Sequence, residues 1–433
     1  TEYQLDNGLK LIVKEDHRAP VVVSQVWYKV GSSYEHNGIT GISHVLEHMM
    51  FKGTENLGPN EFSQIIAANG GRENAFTGRD YTAYFQTLEK DRLEVSFRLE
   101  AERMRKLVID EGELLKEREV VAEERRMRTE DNPHALVREA FNAAAFVNSP
   151  YHHPVIGWMS DINNYQASDL RQWYQKWYAP NNATLVIVGD VEPENVHALA
   201  QKYFGPLKPE ITAQVKPQIE VEQRGKRTIN VKAPAELPYM MMGWKVPVVN
   251  TVDKEQEWHP YALEMLAGIL DGGNSARFSR DLVRGDEIAA SVGAGYSLFS
   301  RLADMFLVVG TPVKGKSLAD LQVAVMAQIK TLQTEVVSDD ELKRIKAQVV
   351  ANAVYERDSV FYQGMQIGML ETIGLDWRLS DDYVKNVQAV TAEQVQTVAQ
   401  QYFKDKGLTV AELIPLPLDG KQRAVSAGGR HGQ

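Results

Sequence analysis

The chain of 433 residues carries 48 Lys and Arg against 58 Asp and Glu, a formal net charge of −10 at pH 7. Its length calls for two or three domains, since one core rarely grows beyond about 250 residues, and its 43% apolar and 24% charged shares are those of an ordinary globular protein rather than a disordered one. An acidic chain without Lys/Arg runs argues against nucleic acid and anionic lipid as partners, no apolar stretch is long enough for a membrane span, and the lack of cysteine removes disulfides, thiolate metal sites and a cysteine nucleophile.

Residues 1–30 alternate apolar and polar around a hairpin turn at Asp6-Asn7-Gly8. Thr1 leads straight into a strand pattern (Leu5, Leu9, Leu11, Val13), so an upstream segment is expected to have been removed. An export signal and a periplasmic or otherwise exported protein are expected, with a cytoplasmic one as the alternative. Helical patterns follow over 41–51 and 59–69, a strand over 81–88, a long charged helical run over 89–130, and further helices to residue 178. Residues 183–188 read as a buried strand closed by Gly189-Asp190. Strands and helices without regular β-α-β alternation predict an α+β architecture.

A Pro-rich stretch without period predicts a linker over 209–225, between a first domain over 1–208 and a second over 226–433. The two halves end alike. Helical 169–178 leads into strand 183–188, and helical 393–403 into strand 408–413, with Trp177-Tyr178 and Tyr402-Phe403 in corresponding places. This weak repeat predicts a duplicated domain.

The chemistry concentrates in Ser43-His44-Val45-Leu46-Glu47-His48-Met49-Met50. Histidines at i and i+4 on a helix share a face, so both imidazoles can reach one ion, and Glu47 projects to the same side. This is the inverted zincin order H-x-x-E-H. Catalytic zinc takes three protein ligands and keeps a position for water, so a third ligand must lie elsewhere. In the helix after Asp110 the stripe Leu114, Val121, Met127 also contains Glu117 and Glu124, whereas Glu119 and Glu123 point away. Carboxylates in an apolar stripe are costly unless paired or bound to a cation. One reading makes Glu124 a ligand with Glu117 behind it; the other is an exposed helix with ion pairs to Lys116, Arg118 and Arg125.

The run Gly31-Ser32-Ser33-Tyr34-Glu35, the segment Gly41 to Thr54 around the histidines, Gly70-Gly71-Arg72-Glu73-Asn74-Ala75-Phe76-Thr77, Asp80-Tyr81-Thr82, Glu117 to Glu124, Pro150-Tyr151 and Gly157-Trp158 together resemble the pitrilysin/insulysin/mitochondrial-processing-peptidase family of inverzincin zinc peptidases. The resemblance is specific in the N-terminal half and loose in the C-terminal half. It implies two similar domains, each a mostly antiparallel sheet packed with helices. It implies one Zn2+ per chain on His44, His48 and Glu124, Glu47 as general base, and Glu117 as a second catalytic carboxylate. The substrate, a short or unfolded peptide, would lie extended against the strand edge of Asn74, Ala75 and Phe76.

The resemblance implies that members of that family complete the site with an Arg and, seven residues on, a Tyr, placed after a Gly-rich turn in a catalytically silent half. Here Arg284 stands at the comparable place after Gly272-Gly273, but the tyrosine position is Ser291, and the nearest tyrosine is Tyr296. A serine hydroxyl reaches less far than a phenol, so a second chain of the same family is expected to supply the clamp in a heterodimer, a homodimer being the other arrangement. The expected function is a zinc metalloendopeptidase. The alternatives are a non-catalytic assembly subunit of the same fold and a processing peptidase for targeting segments. Tyr151-His152-His153-Pro154 is read as structural because adjacent histidines diverge on any regular element, and Trp173, Trp177 and Tyr178 as core.

Overall fold

The computed structural model describes residues 1–211, 215–216 and 218–418; residues 212–214 and 217 of the expected linker, and 419–433 of the expected second domain, lie outside the described residues. The first half runs β1 (Glu2–Gln4), β2 (Lys10–Glu15), β3 (Val21–Tyr28), α1 (Ile42–Met49), α2 (Glu61–Ala68), β4 (Arg72–Thr77), β5 (Thr82–Glu89), α3 (Leu93–Lys106), α4 (Glu111–Arg125), α5 (Pro133–Ala145), α6 (Met159–Ile162), α7 (Ala167–Trp177), β6 (Ala183–Gly189) and α8 (Pro193–Tyr203). The second runs β7 (Arg227–Pro234), β8 (Tyr239–Val246), α9 (His259–Asp271), β9 (Ala289–Gly295), β10 (Asp304–Pro312), α10 (Leu318–Thr334), α11 (Asp339–Glu356), α12 (Val360–Ile373), α13 (Leu379–Ala389), α14 (Ala392–Tyr402) and β11 (Leu408–Leu416).

The first sheet has the order β1-β2-β6-β3-β5-β4 and the second β7-β11-β8-β10-β9. With the short β1 set aside, the two orders coincide. In each, the last strand of the half (β6 or β11) enters parallel to the first neighbour and antiparallel to the second. Two similar α+β domains with mostly antiparallel sheets are therefore present, and the helix–strand repeat noted in the sequence is α7–β6 against α14–β11. Trp173, Trp177 and Tyr178 lie in the first core.

The charged run over 89–130 is not one helix. It breaks after Lys106, where Leu107 pairs with Thr54 in an isolated bridge, and α4 restarts with the Asp110 carboxylate accepting the Glu113 N–H. The helix ends in a π-turn over Arg126–Glu130, which swings Met127 out of the expected stripe to 61% exposure. Such turns interrupt the i→i+4 ladder and re-aim the side chains that follow.

Two helices pack across the expected divide between the domains. Helix α5 lies on β7 and β11 of the second sheet, and α12 on β3 and β6 of the first. The close approach of α12 needs glycine: a Cβ on Gly368 would sit 2.1 Å from the Trp27 ring, and one on Gly364 would sit 2.8 Å from the Gln25 side chain. This exchange buries one surface of each sheet against the other half, with Trp27 and Ile367 in one contact and Phe141 and Met241 in the other. No helix among the described residues is long and apolar enough to cross a membrane.

Candidate metal centre

Helix α1 starts at Gly41, whose φ of +84° suits glycine. The buried Glu35 carboxylate accepts the N–H groups of Gly41 (2.6 Å) and Ser43 (2.9 Å), capping the helix from outside. Ile42, Val45, Leu46 and Met49 are fully buried in the first core. That leaves His44, Glu47 and His48 on the face turned towards α4.

There, Glu124 Oε2 stands 3.6 Å from His44 Nε2 and 3.5 Å from His48 Nε2. Among the described residues these three form the one grouping of donors suited to an ion, all within 4.8 Å of one another. Two ligand atoms at about 2.1 Å from a tetrahedral zinc are about 3.4 Å apart, close to the spacing found. Glu124 Oε2 is buried without a hydrogen-bond partner, while its other oxygen accepts from Arg128 at 2.7 Å. An orphaned carboxylate oxygen facing two imidazole nitrogens is a donor set that fits zinc.

Glu117 plays a different part. Its Oε1 is 2.8 Å from His48 Nδ1, and its Oε2 meets Lys52 Nζ at 2.6 Å. A carboxylate on the far nitrogen fixes the ring and leaves Nε2 free for an ion. Glu47 Oε2 accepts from the Thr77 hydroxyl at 2.5 Å, which ties α1 to β4. Burial pushes the Glu47 carboxyl above its usual range, with Thr77 pulling against it. Burial, aided by the neighbouring His48 charge, lowers His44 to about 4. For His48 burial opposes the charged form, but the Glu117 and Glu124 carboxylates outweigh it and raise the ring to about 9. Glu117 and Glu124 are lowered against the pull of burial, the first by His48 and Lys52 and the second by the two histidines and Arg128.

His44, Glu47, His48 and Glu124 open onto a cleft of about 660 Å³, whose other wall includes Asn74, Ala75, Phe76 and Thr77. Strand β4 is the outer edge of its sheet, so the segment expected to receive substrate has an unpaired side. Asn74 turns its side-chain oxygen onto the neighbouring Ala75 N–H. Arg284 is not part of the cleft: its guanidinium donates to the Asn274 and Ser279 carbonyls of its own turn. Tyr296 donates to the Pro247 carbonyl at 2.6 Å, and Ser291 lies in β9. The cleft's own tyrosine, Tyr151, gives its hydroxyl to Asp80. The Tyr151-His152-His153 segment, read as structural, supplies Tyr151 and the buried His153 to the cleft wall. Sequence reasoning quoted Asp80 only within the resembling run Asp80-Tyr81-Thr82 and passed over Arg79, Arg301 and Asp304, its neighbours in a cross-half network beside the cleft; opposite charges about 220 residues apart carry no local signal.

The second half repeats the frame without the His-His-Glu grouping. Counted from the first residue of each helix, α9 offers Tyr261, Glu264 and Met265 where α1 has His44, Glu47 and His48, and α11 offers Ile345 and Asn352 where α4 has Glu117 and Glu124.

Residues 10–157 match the model of Insulinase (Peptidase family M16), and residues 164–349 that of the Peptidase M16 inactive domain. The chain is 34% identical to the zinc protease PqqE of Helicobacter pylori over 421 residues, 95% of this chain and 92% of that one. It is 26% identical to the uncharacterized zinc protease YmxG of Bacillus subtilis, covering 93% and 95% of the two chains. The crystal structure of a protease from Helicobacter pylori superimposes with a TM-score of 0.90 at 31% identity, over 96% of this chain and 99% of that one. A putative M16-like peptidase from Alicyclobacillus acidocaldarius shares the fold, with a TM-score of 0.82 at 17% identity over 96% and 98%. With a named zinc protease matched at this identity along nearly the whole of both chains, the protein belongs to the M16, or insulinase, family of peptidases.

Proposed function

We propose that the chain is a zinc-dependent endopeptidase acting on short or unfolded peptides, with one Zn2+ held by His44, His48 and Glu124. The observation that carries this reading is the orphaned Glu124 oxygen, 3.5 and 3.6 Å from the two imidazole nitrogens, with Glu47 beside them. Zinc bound there would polarise a peptide carbonyl and acidify the attacking water. Glu47, its carboxyl raised by burial, takes the proton from that water and hands it to the leaving amine as the C–N bond breaks. Glu117 keeps the His48 ring in place, and the edge of β4 at Asn74, Ala75 and Phe76 holds the substrate extended.

The carbonyl clamp comes from a second chain of the same family. In this one the Arg284 guanidinium and the Tyr296 hydroxyl are bonded to backbone carbonyls, Ser291 lies exposed in β9, and the Tyr151 hydroxyl is taken by Asp80. The reading is tested by zinc content and peptide cleavage for the wild-type chain and Glu47→Gln. One zinc in both, slow cleavage by the wild type alone, and a loss of at least about 100-fold in the variant are expected. A chain that takes up no zinc and cleaves nothing would instead be a non-catalytic assembly subunit. Full activity of an isolated monomer would refute the need for a partner.

A further inference from the structure

We propose that Arg301, a residue of the half without metal ligands, is a positioning residue for the reaction of the other half. This rests on the peptidase reading above. Arg301 reaches across the divide and binds two segments at once. Its Nε donates to Asp80 Oδ1 at 3.1 Å, its Nη2 to Ser33 Oγ at 2.7 Å, and its plane lies 4.4 Å above the Tyr34 ring. Its backbone N–H reaches the other Asp80 oxygen at 3.3 Å. Asp80 is 5% exposed and also accepts from Ser33 Oγ at 2.7 Å and from the Tyr151 hydroxyl. The neighbouring residues form a second pair of opposite polarity, Arg79 donating to Asp304 through both guanidinium arms.

The two segments are those that carry the chemistry. Asp80 lies in the turn that ends β4, just after Thr77, the residue bonded to Glu47. The turn is closed by Gly78 N–H to the Tyr81 carbonyl at 2.8 Å and gripped by Ser33 N–H on the Arg79 carbonyl at 2.7 Å. Ser33 in turn lies shortly before Glu35, the cap of α1. The guanidinium therefore braces the turn after β4 against the segment leading into α1, beside the direct Ser33 bonds to that turn, and with it the contact of Thr77 with Glu47. It touches neither the ligands nor the cleft residues that hold peptide. Asp80 is buried and Arg301 half-buried, so removing the guanidinium takes a compensating charge from a buried carboxylate. Displacements of about 1 Å at a reacting centre cost on the order of 100-fold in rate.

The test compares zinc-loaded wild type with Arg301→Gln, Arg301→Lys, Asp80→Asn and the double variant Asp80→Asn/Arg301→Gln, in single-turnover cleavage of an unfolded fluorogenic peptide, with zinc content and circular dichroism on each sample. Arg301→Gln should lower kcat by about 10- to 100-fold while KM changes less than about threefold and one zinc is retained. Arg301→Lys, which keeps the charge on Asp80 but cannot span to Ser33 as well, should fold and fall between the two. The double variant should be no slower than the slower single one, because both remove the same link. A lysine variant within about twofold of wild type, a loss that tracks lost zinc, or additive effects of the two substitutions would overturn the proposal. A wild-type chain that holds zinc yet cleaves nothing would remove the peptidase reading itself, and the positioning role with it.

Discussion

Replacing Glu117 by Gln isolates what a carboxylate behind a proposed metal ligand contributes. The side chain is 7% exposed and serves two donors, His48 Nδ1 at 2.8 Å and Lys52 Nζ at 2.6 Å. Glutamine keeps the volume and one acceptor, but its amide must face either the imidazole N–H or the ammonium, and both are donors. One charge-assisted bond of about 1.5–3 kcal/mol is lost. If the loss falls on His48, zinc affinity drops by about 10- to 100-fold, the range found for outer partners of metal-bound histidines. Competition against a chromophoric chelator at fixed pH reads this directly. Glu119→Gln, on the exposed face of the same helix, should change nothing. Glu117→Ala removes the acceptor from both donors, and a dissociation constant for it within about threefold of wild type would refute the claim that this carboxylate orients His48.

Glu264 lies in the half that lacks the His-His-Glu set, where burial pushes its carboxyl up to about 7. A raised carboxyl contributes stability that is complete below the unfolded value of about 4.5 and is lost as pH rises through about 7. Glu264→Gln should therefore gain up to about 3 kcal/mol relative to wild type on going from pH 4.5 to pH 8, in urea unfolding of the second half; a constant difference across that range would refute the shift. Gly368→Ala places a Cβ 2.1 Å from the Trp27 ring and should cost about 1–3 kcal/mol or more by lifting α12 off the first sheet, visible as a lowered thermal midpoint. Met127→Gln, at 61% exposure on the π-turn, should stay within about 0.5 kcal/mol of wild type; a large loss would mean that the turn packs against something.

Much of the site was legible without coordinates because helix geometry is local. The i, i+4 spacing of His44 and His48 puts two imidazoles side by side whatever the rest of the chain does, and Glu117 and Glu124 two turns apart necessarily share a face. The helix–strand endings that announced the duplication are local in the same sense. Met127 shows the limit: its periodicity matched the stripe, and a π-turn that no residue pattern announced carried it to the surface. The charged run over 89–130 similarly hid the break at 107–110, where a tertiary bridge from Leu107 to Thr54 competes with the helix.

The tertiary structure alone decided which carboxylate meets which nitrogen, since Glu117 and Glu124 are equivalent by period and only the packing of α4 on α1 places one against Nδ1 and the other between the two Nε2 atoms. It also decided that β4 is a sheet edge, that α5 and α12 each cover the other half's sheet, and that Arg301 and Asp304 stand beside a cleft built by residues of the first half, far earlier in the chain. Periodicity states which residues share a face. Which face meets which partner is settled by burial of surface between segments distant in sequence, and that energy belongs to the pair rather than to either segment.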